Sequence, residues 1–178
     1  VKTSQLDVLA YTNAIQLSVE HPGYGVLAAR ILINNYHKNT ESHAKFSDTI
    51  ELLYQNNDKV DKAGNRVRHI NDKVYNFVMK YRTQLDDMIK HDRDYITTYA
   101  GWKILEDKYF LCINGKPIER KQHMLMRVAV GIHRRSTSPD VLKEIEETYN
   151  LLSLHKYIHA TPTLFNICTA HENLASCF

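Results

Sequence analysis

Glu119-Arg-Lys-Gln-His-Met-Leu-Met-Arg-Val-Ala-Val-Gly-Ile132 is the stretch whose reading decides the fold class. Its residues 123–132 read as a helix, and a polar turn from Arg134 to Pro139 separates them from a second helix over residues 140–157. The same period recurs outward from there. Val74, Phe77, Val78, Tyr81, Leu85 and Ile89 mark a helix over residues 72–91, and residues 95–106 fit another short one. Residues 46–54 form a short helix with Ser47 or Asp48 near its start. Leu27, Ala28, Ile31 and Leu32 repeat at helical spacing within residues 24–36, and Leu6, Leu9, Ala10, Ile15 and Leu17 do so within residues 5–19, a helix that Pro22-Gly23 is expected to end.

Two stretches break the helical pattern. Residues 55–71 are polar and carry Asn56-Asn57-Asp58 and Ala63-Gly64-Asn65, which predicts an exposed loop. Residues 108–113 are rich in aromatic and branched side chains and run into Asn114-Gly115, then Lys116-Pro-Ile118. An Asn-Gly pair accepts positive φ at both central positions of a tight turn, so this is a β-hairpin. The expectation is a mainly α chain with one small hairpin, without internal repeats or low-complexity segments.

Composition narrows the function classes. Of 178 residues, 43% are hydrophobic and 24% charged, enough apolar mass for one domain or one and a half. A net charge of +3 does not argue for nucleic acid, and the basic clusters at residues 62–68 and at Arg134-Arg135 read as solvated loop charge. No helix carries a basic stripe, no apolar run approaches the ~20 residues of a membrane span, and no segment resembles a signal peptide. Three cysteines, Cys112, Cys168 and Cys177, are an odd number and favour free thiols in a reducing, cytoplasmic setting. The chain starts at Val1 and stops at Phe178 inside an apolar stretch, which reads as an internal fragment.

The last twenty residues concentrate the chemistry. Thr161-Pro-Thr163 is expected to be a hydroxyl-rich turn after a helix end, and Ser176-Cys177 follows about a dozen residues on. Hydroxyls and backbone amides at such a terminus suit a phosphate or a ribose. Taken alone, however, the threonines read more simply as satisfying backbone groups, and a cysteine among apolar residues is more often inert than reactive. His155 and His159, four apart on the last helix, have no Cys-x-x-Cys pair and no acidic partner in the motif, so no metal site is expected. Asp86-Asp87 and Glu144–Glu147 read as surface pairing with Lys90 and Lys143, and His91-Asp92-Arg93-Asp94 as a polar helix terminus.

In order along the chain, these segments resemble the large subunit of class I ribonucleotide reductase. Residues 119–132 are similar to its Glu-Arg-Pro-Gln-His-Met-Leu-Met-Arg-Val segment. Glu147-Thr-Tyr-Asn-Leu-Leu-Ser153, then His159-Ala-Thr-Pro-Thr-Leu-Phe-Asn166 and Ser176-Cys177, follow in the family's order. Asp92-Arg-Asp-Tyr95 and Tyr99-Ala-Gly101 match the segment before its hairpin. Gln5-Leu-Asp-Val-Leu-Ala10, His21-Pro-Gly-Tyr24, Leu27-Ala-Ala-Arg30 and His37-Lys38 resemble the closing helices of an ATP-cone.

The resemblance implies residues 1–42 as the end of an ATP-cone, 43–160 as the helical N-terminal domain, and 161–178 as the entry to the α/β ten-stranded barrel. It implies reduction of ribonucleoside diphosphates to deoxyribonucleotides by thiyl-radical and dithiol chemistry, with Cys177 as one member of the redox pair. Ser176 and Thr161 match substrate-binding positions, and Thr163 is placed at the phosphate end. Thr3, Asp7 and Lys38 match positions linked to the ATP or dATP effector. No cofactor is implied in this chain. The resemblance further implies a metal-containing small subunit that supplies the radical, thioredoxin or glutaredoxin as the electron source, and a homodimer for the full-length protein. Lys121 stands where the family has proline, and Ile167-Cys168 where it has a small Ala-Gly pair. A catalytically inactive regulatory or scaffold homologue is the alternative reading, and the isolated piece is expected to be silent either way.

Overall fold

His21-Pro22-Gly23 opens a helix instead of closing one. In the computed structural model, which describes residues 3–60 and 63–175, α1 (Thr3–Gln16) runs into a 3-10 turn at Leu17–Val19, and α2 (Pro22–Asn39) begins immediately after. Pro22 sits in the first turn, where its missing N–H costs nothing, and His21 Nδ1 accepts from the Gly23 amide at 3.0 Å. The proline signal was thus real but marked a start. α2 buries Ala28, Ala29, Leu32, Ile33 and Tyr36 and leaves Leu27 half exposed, so its inner face is rotated from the expected one. α1 packs on α2 yet leaves Leu6 and Leu9 largely exposed, with Leu17 partly exposed in the turn after it, and among its described side chains Ala14 is the buried one.

α3 (Phe46–Gln55) buries Phe46, Ile50 and Leu53. Its start is capped from elsewhere in the chain: the Asp86 carboxylate accepts from the Ser47 amide at 2.8 Å and from the Ser47 hydroxyl at 2.7 Å. Asp86 therefore has a structural partner and is not ordinary surface charge. The polar loop contains a small hairpin, β1 (Lys59–Val60) with β2 (Arg66–Val67). The predicted single helix over residues 72–91 is two, α4 (Asp72–Lys80) and α5 (Arg82–Met88), broken at Tyr81, where φ −115° and ψ 25° leave the helical region. A 3-10 run, His91–Ile96, leads to α6 (Tyr99–Lys108), whose start is capped by Thr98.

The Asn-Gly hairpin forms as expected. β3 (Cys112–Ile113) pairs antiparallel with β4 (Lys116–Pro117), and Asn114 and Gly115 have φ of 49° and 74°. α7 (Lys121–His133) is the centre of the molecule, with residues 121–130 all buried. α8 (Val141–Ser153) packs against it through Ile145, Tyr149 and Leu152 and ends before the expected residue 157. A short α9 (Thr161–Asn166) follows. Among the described residues no helix is long and apolar enough to cross a membrane.

A helix buried on every side must satisfy its polar side chains internally. Arg127, without solvent exposure, does so through two carboxylate contacts and two carbonyls. Its Nε and Nη2 lie 2.6 and 3.0 Å from the Glu119 oxygens, while Nη1 and Nη2 donate to the Ile167 and Leu164 carbonyls at 2.8 and 2.9 Å. Glu119 in turn accepts from the Leu111 amide at 3.0 Å, and its carbonyl accepts from the Tyr36 hydroxyl at 2.6 Å. One ion pair thereby fastens α2, the β3–β4 hairpin, α7 and α9 together. Replacing Arg127 with Met should destabilise the chain by about 3–5 kcal/mol, since it strands a buried carboxylate. Urea unfolding of Arg127→Met against the parent measures this, and a loss below ~1 kcal/mol would show Glu119 to be solvated.

Candidate functional site

The Thr161-Pro162-Thr163 stretch is the start of α9, with seven residues between it and the end of α8, and not a turn at a helix end. The residue before it, Ala160, has no capping side chain, and neither threonine hydroxyl caps the helix. Thr161 is exposed, and its hydroxyl lies 3.0 Å from the Tyr109 hydroxyl at the end of α6. Thr163 is half-buried. Capping therefore does not occupy these hydroxyls, and Thr161 presents its own to solvent. A cleft of about 300 Å³ lies beside them, lined by Lys59, Lys108, Tyr109, Cys112, Phe165 and Asn166.

The turn after α9 is tightly held. Cys168 takes φ 70°, the left-handed region that favours glycine. Its amide donates to Glu172 at 2.9 Å, and Glu172 accepts two bonds from Arg134 at 2.9 and 3.1 Å. Arg134 is 5% exposed, so the expectation of solvated loop charge holds for Arg135 and fails for Arg134. The segment also lies along residues 69–71, where the Asn71 amide donates to the Cys168 carbonyl and the Ala170 amide to the His69 carbonyl. Ile167 and Cys168 fill the space over Gly131, where an added Cβ would come within 2.4 Å of Ile167. The bulky pair thus packs into the space that Gly131 leaves on α7. Ser176 and Cys177 lie outside the described residues, as does the side chain of Thr3.

The described thiols are not poised for chemistry. Cys112 and Cys168 are free, and full burial pushes the Cys168 thiol up to about 12. Burial also raises the half-buried Cys112. At the other end of the molecule, Asp7 and Lys38 are brought together across α1 and α2 at 2.9 Å, with Lys38 well exposed. Lys121, 3% exposed, hydrogen-bonds Thr97 at 2.7 Å and His155 at 2.8 Å beside an apolar cavity of about 500 Å³ lined by Met124, Leu152 and Ile158. Desolvation lowers its amine from 10.5 to about 8.

The two histidines that the sequence places on one helix are not on it. α8 ends at Ser153 and His155 has φ 56°, so it turns to Lys121 while His159 packs against Tyr157. The ligand atoms that do converge belong to His37, His91 and Asp94, with His37 more than fifty residues of chain from the other two. Sequence reasoning had only a polar His-Asp-Arg-Asp string to find them by.

A family profile described as the ribonucleotide reductase all-alpha domain matches residues 96–172. The whole chain is 45% identical to the ribonucleoside-diphosphate reductase large chain of Schizosaccharomyces pombe, covering 100% of this chain and 21% of that protein. This chain belongs to the ribonucleotide reductase large-subunit family. The large subunit of Arabidopsis thaliana is 44% identical over the same 100% of the chain and 21% of its own length, and that of vaccinia virus 43% over 100% and 22%. The chain spans about a fifth of the length of these relatives.

Two outcomes test this geometry. In the native chain Cys168 should resist iodoacetamide, whereas unfolding in urea should expose it; mass spectrometry reads the label, and equal labelling in both states would contradict its burial. For Lys121, the folded amine sheds its proton at about 8 while the unfolded one holds it to 10.5. Between those values the unfolded chain binds more protons, so stability rises with pH. The difference in unfolding midpoint between Lys121→Met and the parent should therefore favour the variant most below pH 8, then shift towards the parent up to pH 10.5. A difference independent of pH would show an ordinary amine.

Proposed function

We propose that the chain is part of a class I ribonucleoside-diphosphate reductase large subunit, which converts ribonucleotides to deoxyribonucleotides for DNA synthesis. The observation that carries this reading is the exposed Thr161 hydroxyl at the start of α9, which Ser176 and Cys177 follow in sequence. Thr161, Thr163 and Ser176 bind the diphosphate substrate through hydroxyl and amide groups. Cys177 is one thiol of a dithiol that reduces the 2′ carbon. The balance is one ribonucleotide and one dithiol giving one deoxyribonucleotide, one disulfide and water, with a thiyl radical initiating and regenerated. A metal-containing small subunit provides the radical, and thioredoxin or glutaredoxin returns the disulfide to the dithiol.

Residues 1–42 are the end of an ATP-cone, 43–160 the helical domain, and 161–178 the entry to the ten-stranded catalytic barrel, within a cytoplasmic homodimer. Thr3, Asp7 and Lys38 serve the ATP or dATP effector. The proximity of Asp7 to Lys38 supports a shared site on α1 and α2, where an effector phosphate competes with Asp7 for the ammonium group. The inactive-scaffold alternative rested on the Ile167-Cys168 pair. The fit of that pair over Gly131, and the left-handed backbone that Cys168 adopts there, give it no support.

The test is made on the natural full-length protein with its small subunit and a dithiol reductant. Cytidine diphosphate should yield its deoxy product, and Cys177→Ser should reduce turnover to background. Thr161→Val should raise KM more than it lowers kcat. A folded Cys177→Ser protein that retains the parent rate would sink the assignment.

A further inference from the structure

Where α2 meets the 3-10 run, a group of side chains is left unused by reductase chemistry. His37 lies near the end of α2, His91 and Asp94 on the 3-10 run, and one ligand atom from each lies within 4.8 Å of the other two. We propose that His37, His91 and Asp94 bind a divalent transition cation of the zinc type.

Two of the three ligands are already oriented from behind. The Asp94 side chain has no exposure; one oxygen accepts from Gln122 Nε2 at 2.8 Å and the other faces His37 Nε2 at 2.7 Å. His91 Nε2 lies 3.0 Å from the Ala44 carbonyl, so the ring proton belongs there and the lone pair on Nδ1. That Nδ1 is buried without a partner, an unmet acceptor that a cation would satisfy. Donation of the second ring N–H to a backbone carbonyl, and a hydrogen bond behind the carboxylate, are the usual supports of metal ligands. Two imidazoles and one carboxylate suit zinc, with a fourth position for water.

The neighbours define the limits of the site. His123 lies 5.3 Å from His91, ring to ring, but both its nitrogens are engaged, with Thr49 and with the Ala44 carbonyl. Arg120 is the cation closest in role, and its guanidinium is held by the His37 carbonyl, Thr40 and Glu41. Its charge lowers affinity without occupying the ligands. Ligands about 2.1 Å from zinc stand roughly 3.4 Å apart in a tetrahedron, so His37 and Asp94 open slightly to admit the ion. A bound ion would lock α2 to the 3-10 run.

Zinc titrated into the metal-stripped chain, followed by calorimetry, should fill one site and raise the thermal midpoint. Cobalt(II) in its place should give the visible absorption of a low-coordinate ion and shift the ring-proton resonances of His37 and His91. His91→Phe keeps an aromatic ring and Asp94→Asn keeps side-chain volume, and each should weaken zinc binding at least about tenfold, with the circular dichroism unchanged. Unaltered affinity in both variants, or cobalt shifts confined to other histidines, overturns the proposal. Should either variant fail to fold, the cobalt shifts in the unsubstituted chain decide it.

Discussion

The Arg127–Glu119 pair is the constraint from which the rest of the structure follows. α7 is enclosed on all sides, yet its sequence carries a guanidinium, an ammonium and an imidazole into the interior. A charge in such a place is tolerated only when it is paired and its remaining donors are used. Arg127 meets that demand by taking two carbonyls from α9 and its following turn, while Glu119 takes an amide from the hairpin. The pair contributes less to net stability than to specificity, because few other arrangements of these segments would satisfy five buried polar contacts. The candidate substrate-binding threonines sit on the short helix that Arg127 holds.

A second buried polar chain runs along the opposite side of α7. The Lys90 amide donates to the Tyr149 hydroxyl at 2.9 Å, Tyr149 donates to Gln122 at 2.7 Å, and Gln122 donates to Asp94. This chain joins α8, α7 and the 3-10 run and ends at the His37 contact on α2. In a low-dielectric interior such bonds are stronger than in water, and a break in one leaves several groups unsatisfied. α2 is therefore joined to the helical body through polar contacts as well as through Leu32, Ile33 and Tyr36.

The helices were legible because hydrophobic spacing is local, and the Asn114-Gly115 turn because its backbone requirement is carried by two residues. What the sequence hid was nonlocal. Pro22 can stop a helix or start one, and which it does depends on the His21 cap. The break at Tyr81 interrupts a period that reads as continuous, and the capping of α3 comes from Asp86, 39 residues away. The charge of Arg134 reads as solvated until Glu172 is placed beside it. For the site, Thr161 and Thr163 were recognisable as hydroxyls, but their position at the start of α9 was not. Asp7 and Lys38 were singled out only by resemblance, and their contact was not legible, since nothing in the spacing relates two residues on different helices.

Gly131 has the least conspicuous side chain in α7, and it sets what the turn after α9 can carry. The space its missing Cβ leaves is filled by Ile167 and Cys168, so the two positions form one lock across 36 residues of chain. Shortening the pair to smaller residues would relieve the left-handed backbone at position 168 but open a void against the helix. Segments exchanged between this chain and its relatives would therefore have to be cut so that helix and turn travel as a single unit.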